Sequence, residues 1–165
     1  MGVGPTLLED KHVRVRRQFL MQDVAQIIAN DHRKVEELFA ALENGQGDPR
    51  RIVEQLINEL SAHAEAEEQV VYPAVRDMVP GGGRMADEAI AEHKAMKKEL
   101  AKLERGEPGD LEFENTLTAL IDAVREHVPE EENALLPALR SVIGQDKMEE
   151  LGKIFEDVKG TIPTH

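Results

Sequence analysis

Apolar residues recur along this chain at steps of three and four. Between residues 22 and 43 they are Ala25, Ile28, Val35, Phe39 and Leu42, the spacing that lines one face of an α-helix. His32 stands in the middle of that stripe. Sixty-one residues later the arrangement returns as Ala86, Ala89, His93, Met96, Leu100 and Leu103. A second stripe, Leu56, Leu60, His63, Glu67, Val70 and Ala74, returns after sixty-four residues as Leu120, Val124, His127, Glu131, Ala134 and Ala138.

Turn signals separate the stripes. Asn44-Gly45 can end a first helix, and Asp48-Pro49 supplies an N-cap followed by proline at the first helical position. Pro80-Gly81-Gly82-Gly83, the segment from Gly106 to Gly109, and Gly144 are further breaks. The pattern predicts helices over 22–43, 49–78, 84–105, 110–142 and 146–159. The first four read as two copies of a helix hairpin. An all-α fold follows, an up-down-up-down antiparallel four-helix bundle with an additional C-terminal helix, and a bundle core is where a cofactor site would be built.

Composition agrees with that class. Aromatic residues are 3% of the chain, and Ala, Leu, Glu, Lys and Arg favour helix over sheet. At 165 residues one domain is expected over residues 21–160, preceded by an N-terminal arm over 1–20. The arm carries Lys11, Arg14, Arg16 and Arg17. On a protein with 33 acidic and 20 basic residues, net charge −13, it reads as a solvated tail or docking strap. His12 and His165 match no stripe and are expected at the surface. The net charge would repel a phosphate backbone, so no nucleic-acid partner is expected. No apolar run is long enough to cross a membrane and no secretory h-region is present, so the expected location is cytoplasmic. The chain has no cysteine, which removes thiolate chemistry and leaves histidine and carboxylate for any metal.

Those residue types are what the stripes hold. Positions i and i+4 lie one turn apart on one helix face, so His63 and Glu67 project together into the core, as do His127 and Glu131. With His32 and His93 they make six polar side chains in one core layer. Taken singly, each would be read as a hydrogen-bonded core histidine or a glutamate reaching water. Taken together, two buried carboxylates without a partner would cost several kcal/mol each, and no Lys or Arg stands on these stripes. A cation would neutralise them, and imidazole with carboxylate suits Fe, Mn or Zn better than Ca or Mg. Two carboxylates on opposite helices could also bridge two ions, with His32 and His63 completing one site and His93 and His127 the other. Glu65, Glu68, Glu130 and Glu132 fall off the stripe and are expected on a solvated acidic face. Tyr72, followed by Pro73, is expected to pack near the end of the bundle, with ligand, hydrogen-bond donor or radical sink as its alternatives.

His32 in NDHRKVEELF, HAEAE at 63–67, His93 in AEHKAMKKEL and HVPEE at 127–131 resemble the H…HxxxE…H…HxxxE pattern of hemerythrin-like (HHE cation-binding) proteins over roughly residues 22–159. The resemblance implies a four-helix bundle holding two non-heme iron ions, with an oxo or hydroxo bridge. His32 and His63 would bind one ion, His93 and His127 the other, and Glu67 and Glu131 would bridge; Zn or Mn remain possible metals. It further implies a small diatomic or peroxide ligand: binding or turnover of O2-derived species such as H2O2 in a catalase-like reaction, or of NO.

The chain departs from the pattern in two places. Oxygen-carrying hemerythrins have a further His one turn after the third-helix His, where this chain has Lys97, and the equivalent first-helix position is Glu36. Pro129, between His127 and Glu131, removes a backbone hydrogen bond and should kink its helix. More open coordination suits peroxide or NO better than reversible O2 carriage. A non-enzymatic oxygen or iron sensor or store of the same fold is the alternative, and a structural zinc bundle a third. The sequence leaves the oligomeric state open.

Overall fold

The computed structural model describes residues 22–163. The predicted basic arm over 1–20, with His12, and the terminal His165 lie outside the described residues. The described residues are helical apart from short turns: α1 (Val24–Glu43), α2 (Pro49–Ala66), α3 (Tyr72–Met78), α4 (Gly82–Arg105), α5 (Leu111–Glu130), α6 (Leu136–Ile143) and α7 (Gln145–Thr161). α2 and α3 form one long arm joined through a π-helical turn at Glu67–Val71, and α5 and α6 another through a π-helical turn at Glu131–Leu135. With α1 and α4 these arms make the antiparallel four-helix bundle, and α7 is the additional C-terminal helix. The predicted spans agree with the observed ends to within two residues.

The caps are where the turn residues placed them. Asp23 closes a capping box with Gln26 at the start of α1, each side chain accepting from the other's backbone N–H. Asp48 accepts from the Arg50 N–H ahead of Pro49. Asp23 is buried and also accepts from Arg140 (2.7 Å) and Gln145 (2.9 Å), which ties the start of α1 to α6 and α7. Between α3 and α4, Gly81 has φ 73°, and a Cβ on Gly82 would sit 1.9 Å from the Val75 carbonyl oxygen. Only glycine fits that turn.

The two π turns were not anticipated. Each ends two residues before a proline, Pro73 or Pro137. In an unbroken α-helix those rings would press on the carbonyls four residues back and leave them without a donor. Instead the Tyr72 N–H reaches back five residues to the Glu67 carbonyl and the Leu136 N–H to that of Glu131. Each turn therefore begins at one of the two core glutamates. At Pro129 the chain stays α-helical, since α5 continues to Glu130, and the departure from α geometry falls at Glu131–Leu135.

Two apolar clusters fill the core. One gathers the first half of α1, the ends of the two long arms, the start of α4, and Met148 and Phe155 of α7. The other gathers Val35 and Phe39 of α1 with Leu56, Leu100, Leu103, Phe113 and Leu120. His32, His63, Glu67, His93, His127 and Glu131 occupy chain positions between these clusters, so the polar layer is enclosed by apolar packing on both sides.

Candidate metal centre

Each core glutamate faces one histidine of its own hairpin and one of the other. Glu67 Oε1 lies 2.8 Å from His63 Nε2 and 3.4 Å from His93 Nε2. Glu131 lies 3.2 Å from His127 Nε2 through Oε2 and 3.2 Å from His32 Nε2 through Oε1. Both carboxylates are out of contact with solvent, at 0% and 1% exposure.

Short distances do not satisfy these groups. His63 Nε2, both oxygens of Glu67 and Glu131 Oε1 are buried without a hydrogen-bond partner among the described residues. These atoms crowd together without forming hydrogen bonds to one another. Such an arrangement is costly for carboxylates in a helical core and is what a shared cation would relieve. The donors fall into two sets, His32, His63, Glu67 and Glu131, and Glu67, His93, His127 and Glu131, each with all its ligand atoms within 4.8 Å of one another. Nitrogen and oxygen donors at about 2.0–2.2 Å from one ion can be no more than about 4.4 Å apart. The sets therefore close on a metal with shifts of a few tenths of an ångström, and the residues fit the group.

Without a metal, protons take over part of the neutralisation. Burial alone would lower the His63 pKa, but Glu67, Asp31 and Glu131 outweigh it and raise it to about 10. His127 is likewise lowered by burial and raised more by Glu131, Glu67 and Glu92, to about 9. Burial would raise Glu131, yet its contacts with Glu67, His127 and His32 hold it well below the usual range.

Three of the four imidazoles are held from behind. Asp31 Oδ2 accepts from His63 Nδ1 at 2.8 Å, Glu92 accepts from His127 Nδ1, and Glu132 lies 3.4 Å from His32 Nδ1. Each contact turns Nε2 into the site and fixes the tautomer, the usual arrangement behind a metal-binding histidine. His93 differs: its Nδ1 is buried without a hydrogen-bond partner among the described residues, and its Nε2 lies 3.0 Å from the Tyr72 hydroxyl. That hydroxyl donates to Glu131 Oε2 at 2.8 Å.

Several expectations are thereby corrected. Tyr72 does not merely pack near the bundle end; it is 1% exposed and hydrogen-bonded to the centre, because the π turn after Glu67 rotates position 72 inward. Burial and the two glutamates raise its pKa, so it is a neutral donor. Glu132 is not only part of a solvated face, since it reaches His32. Glu68 and Glu65 do stay outside, on Lys97 Nζ (2.8 Å) and Gln69 Nε2 (3.0 Å). Glu36 is exposed and paired with Arg125, so neither Glu36 nor Lys97 reaches the core layer. Asp31 and Glu92 were missed. Their signal was available, because each directly precedes a stripe histidine, as Asp31-His32 and Glu92-His93.

The sequence pattern of the Hemerythrin HHE cation binding domain matches residues 23–139. The chain belongs to the hemerythrin HHE cation-binding family. A curated relative from Nostoc, named DNA nickase, is 34% identical over 143 residues, which is 85% of this chain and 40% of that protein. This chain therefore spans less than half of that relative's length. An uncharacterised hemerythrin-like protein of Schizosaccharomyces pombe is 27% identical over 150 residues, 89% of this chain and 74% of that one. A crystal structure of a hemerythrin HHE cation-binding domain-containing protein from Mycobacterium kansasii shares the fold, with a TM-score of 0.72 at 23% identity, over 86% of this chain and 90% of that one.

Two openings flank the two donor sets. A cleft of about 300 Å³ between α4 and α5 is lined by Met85, Ala89, Glu92, His127, Glu131 and Leu135. Another of about 330 Å³ meets His32 between Ala29, Val124, Val128 and Pro129. Among the described residues no helix is long and apolar enough to cross a membrane.

Proposed function

We propose that residues 21–160 hold a pair of non-heme iron ions, one between His32 and His63 and one between His93 and His127, bridged by Glu67 and Glu131, and that this centre disproportionates hydrogen peroxide. The observation that carries this reading is the pair of fully buried carboxylates shared by both donor sets, with three of their four oxygens unpartnered. Bound there, two iron ions would supply the two-electron redox capacity needed to convert two H2O2 into O2 and two waters.

The chain's own residues supply the setting. The four imidazoles and two carboxylates fix the donor positions, and Tyr72 donates a hydrogen bond to Glu131, restraining one shared carboxylate. The apolar clusters on either side keep bulk water from the layer. The two small clefts admit a small molecule and not a polymer. Lys97 is turned outward to Glu68, so the position where oxygen carriers have an extra histidine supplies no ligand. That favours turnover of peroxide, or binding of NO, over reversible O2 carriage.

Dioxygen evolution from peroxide by iron-loaded protein tests the proposal. No evolution after two equivalents of bound iron have been confirmed would sink the catalase-like reading and leave the second reading, a non-enzymatic sensor or store. Contact of α7 with His63 through Phe155 (ring centroids 5.7 Å) favours that second reading. One equivalent of zinc alone in protein purified without added metal would instead support a structural zinc bundle. A formal charge of −13 opposes a phosphate backbone and argues against nicking of DNA by this chain; supercoiled plasmid should survive incubation with the loaded protein.

A further inference from the structure

Behind His63 lies a chain of contacts that no motif announces. Asp31 has Oδ2 on His63 Nδ1 at 2.8 Å and Oδ1 on Lys159 Nζ at 2.9 Å. Lys159 also donates to Glu59 Oε1 at 2.7 Å. One turn earlier on α7, Phe155 sets its ring edge-on to the His63 imidazole, at an interplanar angle of 70°. Both α7 side chains therefore support the same ligand. The second half has no counterpart. Glu92 takes the place of Asp31 behind His127, but its side chain is 39% exposed where that of Asp31 is 5%. Among the described residues, Glu92 has no Lys or Arg within ion-pair distance.

The difference has a physical consequence. A buried carboxylate held at both oxygens keeps one orientation, so His63 keeps one rotamer and one tautomer and loses little freedom when Nε2 takes a ligand. A half-exposed glutamate has one more rotatable bond and hydrating water to compete with. The ammonium also draws charge from Asp31, which weakens its push on the imidazole. The alternative, however, is a buried carboxylate with no cation beside it, and that cost is the larger.

Building on the two-metal reading above, we propose that Lys159 is a positioning residue. Through Asp31 it fixes His63 and makes the His32/His63 position the tighter, first-filled of the two, so α7 is part of the metal centre.

Cobalt(II) titration of the metal-free full-length protein, followed by visible d–d absorption and equilibrium dialysis, tests this. The wild-type chain should bind two ions in two resolved steps. Lys159→Met should weaken the tighter step by about 10–100-fold, with the looser step changed less than about threefold. Lys159→Arg should restore most of the loss, and Glu59→Gln, which loosens the outer end of the contact chain without touching Asp31, should leave both steps in place. Circular dichroism and a thermal melt confirm that each variant is folded. If Lys159→Met does not fold, Lys159→Gln, which keeps a donor, carries the same comparison. A folded variant with an unchanged tight step, or with equal losses in both steps, overturns the proposal. So do two equally tight steps in the wild type. Fewer than two bound ions in the wild type would instead overturn the two-metal reading, and this inference with it.

Discussion

The two hairpins bring the same residues to the centre and hold them by different means. In the first, Asp31 is buried behind His63, clamped by Lys159 and flanked by Phe155 of α7. In the second, a half-exposed Glu92 stands behind His127, while His93 takes its polar contact from Tyr72 of the other hairpin. The ligands repeat because helical periodicity alone sets them: an imidazole and a carboxylate four residues apart project together wherever they are written. The supports do not repeat, because they depend on what packs outside the bundle. α7 packs mainly on the first hairpin, against α1, α2 and the π turn after α2, with a smaller contact to α6.

The sharpest way to break the comparison is to remove what the halves share. Glu67 and Glu131 belong to both donor sets, so Glu67→Gln and Glu131→Gln should each lose most of both bound ions. His63→Ala or His127→Ala should mainly empty the position it serves. Metal content of the loaded, desalted variants decides the point. A glutamate variant that still holds two ions would show that bridging is not the role of these carboxylates.

The next largest effect should separate the halves. Asp31→Asn replaces a locked acceptor with a weaker one that can also present an N–H toward His63 Nδ1. It should cost about 10–100-fold in affinity at the first position. Glu92→Gln should cost less at the second, since solvent already competes for that carboxylate. Dissociation constants for cobalt(II) in the two variants measure the contrast, and equal losses would make the halves equivalent in spite of their different burial.

How far this was legible in the sequence follows the same division. The stripes with His32, His63, His93 and His127, and the i, i+4 pairing with Glu67 and Glu131, are local and periodic, and they gave the fold and the core layer directly. Asp31 and Glu92 reach a histidine on a neighbouring helix. Periodicity places them one step off the stripe, and only the packing of α1 on α2 and of α4 on α5 turns them toward Nδ1. Tyr72 was misplaced for a related reason. Counted at 3.6 residues per turn from Glu67 it leaves the core face, and the π turn that Pro73 imposes adds the rotation that brings it back. Lys159 stands on a helix outside the repeat, ninety-six residues from His63, so nothing in the spacing connects them.

Acidity should sharpen the comparison between filled and empty sites. In the metal-free protein His63 and His127 have pKa values raised from 6.5 to about 10 and about 9. A raised histidine contributes stability that is fully present below pH 6.5 and is lost as pH climbs through the folded value. Glu131, lowered from 4.5, contributes stability present above that value and lost as pH falls. Urea midpoints of the metal-free protein should therefore decline between about pH 6.5 and 10. Metal binding requires neutral imidazole, so cobalt affinity should rise over the same interval. Midpoints that rise with pH in the metal-free protein would mean that the imidazoles are not its cations.

The smallest effect concerns Tyr72, whose hydroxyl crosses from the first half to the second. Tyr72 is built by the first hairpin, yet its hydroxyl serves Glu131 and lies beside His93 of the second. Tyr72→Phe keeps the ring and its packing and removes only the donor. A hydrogen bond to a charged acceptor contributes about 1.5–3 kcal/mol, and Glu131 keeps His127 and His32 as neighbours, so the loss in the metal-free protein should fall toward the lower end of that range. If the hydroxyl restrains the shared carboxylate as proposed, the iron-loaded variant should also show a shifted charge-transfer band at unchanged metal content. A variant that loses stability and keeps the wild-type spectrum would confine Tyr72 to holding the bundle. A shifted spectrum would make it the contact through which the first hairpin adjusts the second.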